Sequence, residues 1–263
     1  MSRSKLAIVC TGGGTRCAFA GGFLVGLGRE FSLEPSIIVA ASGSAGNACY
    51  FASKQFVEIE RIWKKHLATK KFFTFFRVWK MMDIDYLVDV VFKKAEPLDM
   101  ARLKASKTLI RVPLLNMQTK HIDYIDPKEN NTFDLLRASK AMPLIYGRRI
   151  HVDGNIFMDG ALVASIEQMI NEAELLGATH IIVIENRVRS KVFQYAKKMV
   201  GYFLSARTEV KYPSISQKVF IQDNEAHAWF ATTKPKQLAS MFDSGYSVAK
   251  NNSEAREFLK AFL

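Results

Sequence analysis

The chain has 263 residues, 49% of them hydrophobic, enough to bury one substantial core. No Pro/Gly/Ser-rich linker, low-complexity tract or internal repeat interrupts it, so residues 1–263 read as a single domain. A net charge of +12 and a pI of about 9.6 describe a surface that attracts anionic lipid or nucleic acid, or is simply well solvated.

MSRSKLAIVC lacks the longer apolar stretch and cleavage site of a secretory leader, and the longest apolar run, AFAGGFLVGL at 18–27, is too short to span a bilayer. Three cysteines, Cys10, Cys17 and Cys49, are odd in number and lack metal-type spacing. They read as reduced thiols of a cytoplasmic protein.

KLAIVC (5–10) is expected to be a buried strand, followed by the glycine loop TGGGTRC (11–17) and a small-residue helix to Glu30. SIIVAA (36–41) is a second buried strand, with a helix in GNACYFASKQ after it. Residues 55–95 are helical in character. TLIRVPLLNM (108–117) and HIDYID (121–126) read as strands, and FDLLRASKAM (133–142) as a helix ending before Pro143. Residues 148–160 form a hairpin turning at Asp153-Gly154, and IEQMINEAELLG (166–177) is an amphipathic helix. HIIVIE (180–185) is a buried strand, VFIQ (219–222) another, and SEAREFLKAFL a closing helix. Strands alternating with helices predict an α/β protein with a mostly parallel sheet.

Three segments carry candidate chemistry. The glycine loop lacks the third glycine and the acidic residue of a dinucleotide fingerprint, and the Gly-Lys-Ser/Thr of a P-loop. What remains is a strand–loop–helix turn whose N–H groups face a developing negative charge, or merely a tight turn. SGSAG (42–46) has the strand–turn–helix context of a nucleophile elbow, with Ser44 as nucleophile and the small residues Ser42 and Gly46 on either side. The alternative for Ser44 is an ordinary helix N-cap. Asp159, in FMDGAL, is not required for the hairpin turn and is a candidate base; the alternative is an Asx turn. A histidine base would have to be His180 or His227, with His180 better explained structurally.

Together these motifs resemble the patatin-like phospholipase family, with its G-G-G-x-R/K-G loop, G-x-S-x-G and downstream D-G-G/A. They stand here as Gly12-Gly13-Gly14-Thr15-Arg16-Cys17, Ser42-Gly43-Ser44-Ala45-Gly46 and Asp159-Gly160-Ala161. Residues 138–166 and SGYSVAKN (244–251) are also similar to family segments. The resemblance implies a three-layer α/β/α fold and a Ser–Asp dyad of Ser44 and Asp159. It also implies an oxyanion hole around Gly12, Gly13 and Gly14 with Arg16 nearby, acting on a lipid ester without metal or organic cofactor.

A basic aromatic stretch, RIWKKHLATKKFFTFFRVWKMM (61–82), remains. Trp63, Lys64, Lys65, Lys70, Lys71, Phe72 and Phe73 are candidates for a lid or docking surface that meets an anionic membrane peripherally. The competing reading places the aromatics in the core and the lysines in water. A second basic stretch, 187–199, would join the same surface. Nucleic-acid stacking is the weakest of the three readings. The other function carried forward is a non-catalytic member of the fold that binds membrane or acyl lipid.

Overall fold

In a computed structural model, residues 4–73, 81–129, 131–143, 146, 148–186, 199, 216–223, 232, 234–260 and 262 are described. Five parallel strands make the heart of the sheet: β1 (Leu6–Cys10), β2 (Ile37–Ala40), β3 (Leu109–Asn116), β7 (His180–Glu185) and β8 (Gln217–Gln222). They lie in the order β3-β2-β1-β7-β8. The far half of β3 leaves this parallel array and pairs antiparallel with β4 (Ile122–Ile125) and with β6 (Asn155–Asp159). β6 closes a hairpin with β5 (Ile150–Val152). Asp153 and Gly154, both at positive φ (48° and 81°), supply that turn, as the Asp-Gly pair predicts.

The central strands are apolar on both faces because helices cover both. Leu6, Ile8, Cys10, Ile38, Ala40, Ile182 and Ile184 face the larger layer, which includes α1 (Cys17–Phe31), α2 (Gly43–Ala52) and α7 (Pro235–Asn251). Ala7, Val9, Ile37, Val39, Ile181 and Val183 face α6 (Ile166–Leu175). α6 starts on a capping box in which Ser165 and Gln168 satisfy each other's backbone N–H. The expected three-layer α/β/α architecture with a mostly parallel sheet is therefore present.

The larger layer is built around glycine contacts. A Cβ on Gly22 would lie 1.8 Å from the Phe242 carbonyl oxygen, and one on Gly245 2.0 Å from that of Phe19. α1 and α7 thus touch backbone to backbone. Three shorter helices, α3 (Phe56–Arg61), α4 (Met100–Ala105) and α5 (Thr132–Ala138), two wider-wound segments, Ile62–His66 and Tyr86–Ala95, and the tight turns Gly14–Arg16 and Gly160–Leu162 add to the described helical structure. α8 (Ser253–Leu259) starts on Asn252, whose side chain accepts from the Ala255 N–H.

Candidate active site

Parallel strands end at a common edge, and there the loops after β1, β2 and β7 meet. Thr11 N–H donates to the Ile184 carbonyl at 3.0 Å and Ala41 N–H to that of Cys10 at 3.0 Å. Asn186, just past β7, donates its backbone N–H to Thr11 Oγ1 at 2.8 Å and its side-chain amide to the Thr11 carbonyl at 2.7 Å. The glycine loop is pinned by close approach. A Cβ on Gly13 would fall 2.3 Å from the Asn186 carbonyl oxygen. Arg16 donates from Nε to that same oxygen at 3.1 Å. The buried guanidinium therefore braces the loop that the family resemblance makes the candidate oxyanion hole.

The two serines of SGSAG stand in different places. Ser44 lies inside the first turn of α2 and is fully buried. Its hydroxyl donates to the Thr11 carbonyl at 3.0 Å and accepts from Asn186 Nδ2 at 3.3 Å, so it ties α2 to the glycine loop. Ser42 stands at the corner between β2 and α2 with φ 55° and ψ −125°. A side chain held at such a turn costs about 1–3 kcal/mol, and a serine there commonly offsets it by capping the helix. Ser42 makes no capping hydrogen bond. Its Cβ sits 3.0 Å from where a Cβ on Gly12 would be, and that same point is 2.6 Å from Ala161 Cβ. Gly12 is thus the residue around which the serine corner and the Asp159-Gly160-Ala161 turn close.

Asp159 ends β6 and is 1% exposed. Its backbone N–H donates to the Ala141 carbonyl at 3.0 Å, and its Oδ1 accepts from Ala161 N–H at 2.9 Å. That Asx turn fixes the carboxylate. Gly160 is required by contact, since a Cβ there would lie 2.3 Å from the Pro113 carbonyl oxygen. Asp153, by contrast, is an exposed turn residue.

A cavity of about 30 Å³ opens beside the serine corner. Gly14, Thr15, Ser42, Gly43 and Lys140 are among its lining residues, and Trp63, Leu67, Phe72, Met82 and Phe92 supply apolar wall. Ser44 and Asp159 are not among its lining residues. Trp63 Nε1–H donates to Asn47 Oδ1 at 2.7 Å, and Asn47 Nδ2 donates to the Cys17 carbonyl at 2.9 Å, which holds this wall against α1. Trp63, Phe72 and Phe73 are therefore core and cavity residues rather than surface aromatics, because the hydrophobic effect is satisfied inward. Lys65, Lys70 and Lys71 are exposed, and Lys64 pairs with Glu60 and Asp243 at 2.9 and 2.6 Å. The rest of the basic aromatic stretch, 74–80, lies outside the described residues, as do 187–198 of the second basic stretch.

Lys140 was not singled out in the sequence. It follows α5, is only 7% exposed, and is the one charged residue lining the cavity among the described residues. Its Nζ donates to the Leu136 carbonyl at 3.0 Å and Ser139 Oγ at 3.1 Å. Burial pushes its ammonium down to about 8, with the charge of Asp159 opposing that fall. Burial likewise raises the Cys17 thiol to about 11 and the Cys49 thiol to about 12. All three cysteines are free and buried, so none is primed as a nucleophile.

His180 packs edge-on against Phe258 and Phe262 at the opposite end of β7 from Asn186, so it is structural. His227 lies outside the described residues. Among the described residues no group of three or more His, Cys, Asp or Glu side chains is arranged to hold a metal ion. Nor is any described helix long and apolar enough to cross a membrane.

The Patatin-like phospholipase family model matches residues 8–170, which contain the glycine loop, both serines, Lys140 and Asp159. An Escherichia coli (strain K12) protein, the uncharacterized protein YjjU, is 28% identical over 204 residues, covering 74% of this chain and 56% of that protein. The chain thus spans little more than half the length of that relative. The fold is similar to the crystal structure of VipD from Legionella pneumophila, with a TM-score of 0.57 at 12% identity, covering 98% of this chain and 67% of that one.

Proposed function

As the chain belongs to the patatin-like phospholipase family, we propose that it is a serine hydrolase of lipid acyl esters, with Ser42 as nucleophile and Asp159 as base. The observation that carries the choice of serine is the Ser42 backbone, φ 55° and ψ −125° at a strand–helix corner. Its side chain faces Gly12 and lines the cavity. Ser44 was the serine expected from the motif, but its hydroxyl is occupied between Thr11 and Asn186.

In this mechanism the Ser42 hydroxyl attacks the ester carbonyl as the Asp159 carboxylate takes its proton. The ester carbon becomes tetrahedral and its oxygen negative. Backbone N–H groups of the glycine loop, with the N-terminus of α2, face that charge. Collapse expels the alcohol, which leaves with the proton held by Asp159. Water then repeats the cycle on the acyl-enzyme and releases a carboxylic acid. The apolar cavity takes the acyl chain, with its walls moving apart, since about 30 Å³ holds only a few waters. We place the exposed Lys65, Lys70 and Lys71 against an anionic membrane, with the chain resting there peripherally from the cytoplasmic side.

A fluorophosphonate probe tests the assignment. Ser42→Ala should abolish covalent labelling, and Ser44→Ala should leave the labelled site unchanged. Labelling that survives in Ser42→Ala and vanishes in a folded Ser44→Ala would return the role to Ser44. A wild-type protein that is never labelled would point to the non-catalytic acyl-lipid-binding reading.

A further inference from the structure

We propose that Lys140 is an anion anchor inside the acyl cavity, where it binds the carboxylate of the released acyl chain. The inference rests on the acyl-cavity reading above but not on turnover.

An ammonium has three protons to donate. Two go to the Leu136 carbonyl and Ser139 Oγ, and among the described residues no acceptor is recorded for the third. No carboxylate of the described residues lies within salt-bridge distance of Nζ, although Asp159 acts on it electrostatically. A lysine so buried is costly unless it is paired. Lys140 instead faces a cavity whose other described linings carry no charge, and its Nζ lies 5.9 Å from the Phe92 ring centroid. Phe92 in turn covers Gly46, one turn into α2 from the serine corner. The charge of Lys140 is also felt at Cys17, whose Sγ lies 3.1 Å from where a Cβ on Gly43, the first residue of α2, would be. An ester brings no full charge to that place. Its hydrolysis creates one, because the released acid ionises, and the carboxylate then meets the cation.

Burial acts first on Lys140's charge, and the titratable groups that act on it are Asp159, Cys49 and Cys17. Below about pH 8 the amine is charged and the anchor is present, and a bound carboxylate extends its range upward.

The test uses octanoate and 1-octanol, ligands of equal chain length of which only one is charged, titrated calorimetrically into the intact wild-type chain. Octanoate should bind at pH 7 and weaken as the pH rises past 9, while octanol binding stays flat. Lys140→Met should weaken octanoate by about tenfold or more, the loss expected for a charge-assisted hydrogen bond in a dry site, and leave octanol unchanged. Lys140→Arg should retain the preference for the anion. Circular dichroism checks that both variants are folded. Equal octanoate affinity in wild type and Lys140→Met would overturn the proposal, as would octanoate failing to bind wild type at all. Fluorophosphonate labelling reports hydrolysis separately. A labelled protein without Lys140-dependent octanoate binding keeps the function and loses the anchor, and an unlabelled protein with such binding does the reverse.

Discussion

Replacing Lys140 by methionine should make the unliganded protein more stable at neutral pH, although it removes two hydrogen bonds. The ammonium falls from the ordinary 10.5 to about 8 on burial. At 1.36 kcal/mol per pH unit, that corresponds to about 3 kcal/mol of destabilisation when both states are charged. Neither hydrogen-bond partner is stranded by the change, because Ser139 Oγ already donates to the Leu136 carbonyl at 2.9 Å. Methionine fills most of the stem volume, so a small void should return about 1 kcal/mol of the gain. The expected net effect is about 2 kcal/mol in favour of Lys140→Met at pH 7. The sign with pH follows from proton counting. Between pH 8 and 10.5 the folded lysine has lost its proton and the unfolded one has kept it, so wild-type stability rises across that window relative to the variant. The raised thiols Cys17 and Cys49 act oppositely above about pH 9; burial, their main cause, is common to both proteins, and losing the Lys140 charge raises them slightly further in the variant, a secondary effect on the gap. Urea unfolding at pH 7, 9 and 10.5 measures the gap. A gap that does not shrink with pH, or a variant less stable than wild type at pH 7, would refute the reasoning.

Asp159→Asn should lose about 10²–10⁴-fold in ester turnover while folding normally, since an amide oxygen still accepts the Ala161 N–H but cannot take the serine proton. Asp153→Asn, at the exposed hairpin turn, should keep full activity, and similar losses in the two variants would detach Asp159 from the chemistry. Gly22→Ala should cost about 3 kcal/mol or more in chemical denaturation, because its Cβ would lie 1.8 Å from the Phe242 carbonyl oxygen and force α1 and α7 apart. The triple variant Lys65→Gln, Lys70→Gln, Lys71→Gln should bind anionic vesicles more weakly at low salt by about 1 kcal/mol per lysine, with hydrolysis of a small soluble ester unchanged. Equal vesicle sedimentation would remove this face from the membrane contact.

Much of the architecture was legible because the buried strands announce themselves. LAIVC, IIVA and HIIVIE are short apolar runs ended by small or polar residues, and each is a strand of the parallel array. Asp153-Gly154 and Asp159-Gly160 could be told apart because only one lies between two alternating runs. The serine was harder. SGSAG offers two hydroxyls two residues apart, and small-residue spacing favours the second, whereas the backbone turns at the first. In the structure they differ in backbone conformation, in hydroxyl partners and in which lines the cavity. Lys140 left no mark because a lysine after a helix ordinarily points to water, and its burial depends on Phe92 and α2, far away in sequence. Trp63 and Phe72 read ambiguously for a similar reason: interleaved lysines and aromatics suit a membrane face and a helix with one buried side equally well. The helix Pro235–Asn251 was recognised only through family likeness, because its low overall hydropathy hides a single apolar stripe.

The glycine contact between α1 and α7 joins residues more than two hundred positions apart. Such a contact closes late, because the long intervening loop must be ordered first. On the ribosome, α1 leaves the exit tunnel long before Phe242 and Gly245 are made. Until then the face of α1 that carries Gly22 and Gly26 is bare. The nascent chain therefore carries the serine corner long before it receives the helix that buttresses α1, and in that interval α1 offers a chaperone an apolar face to hold.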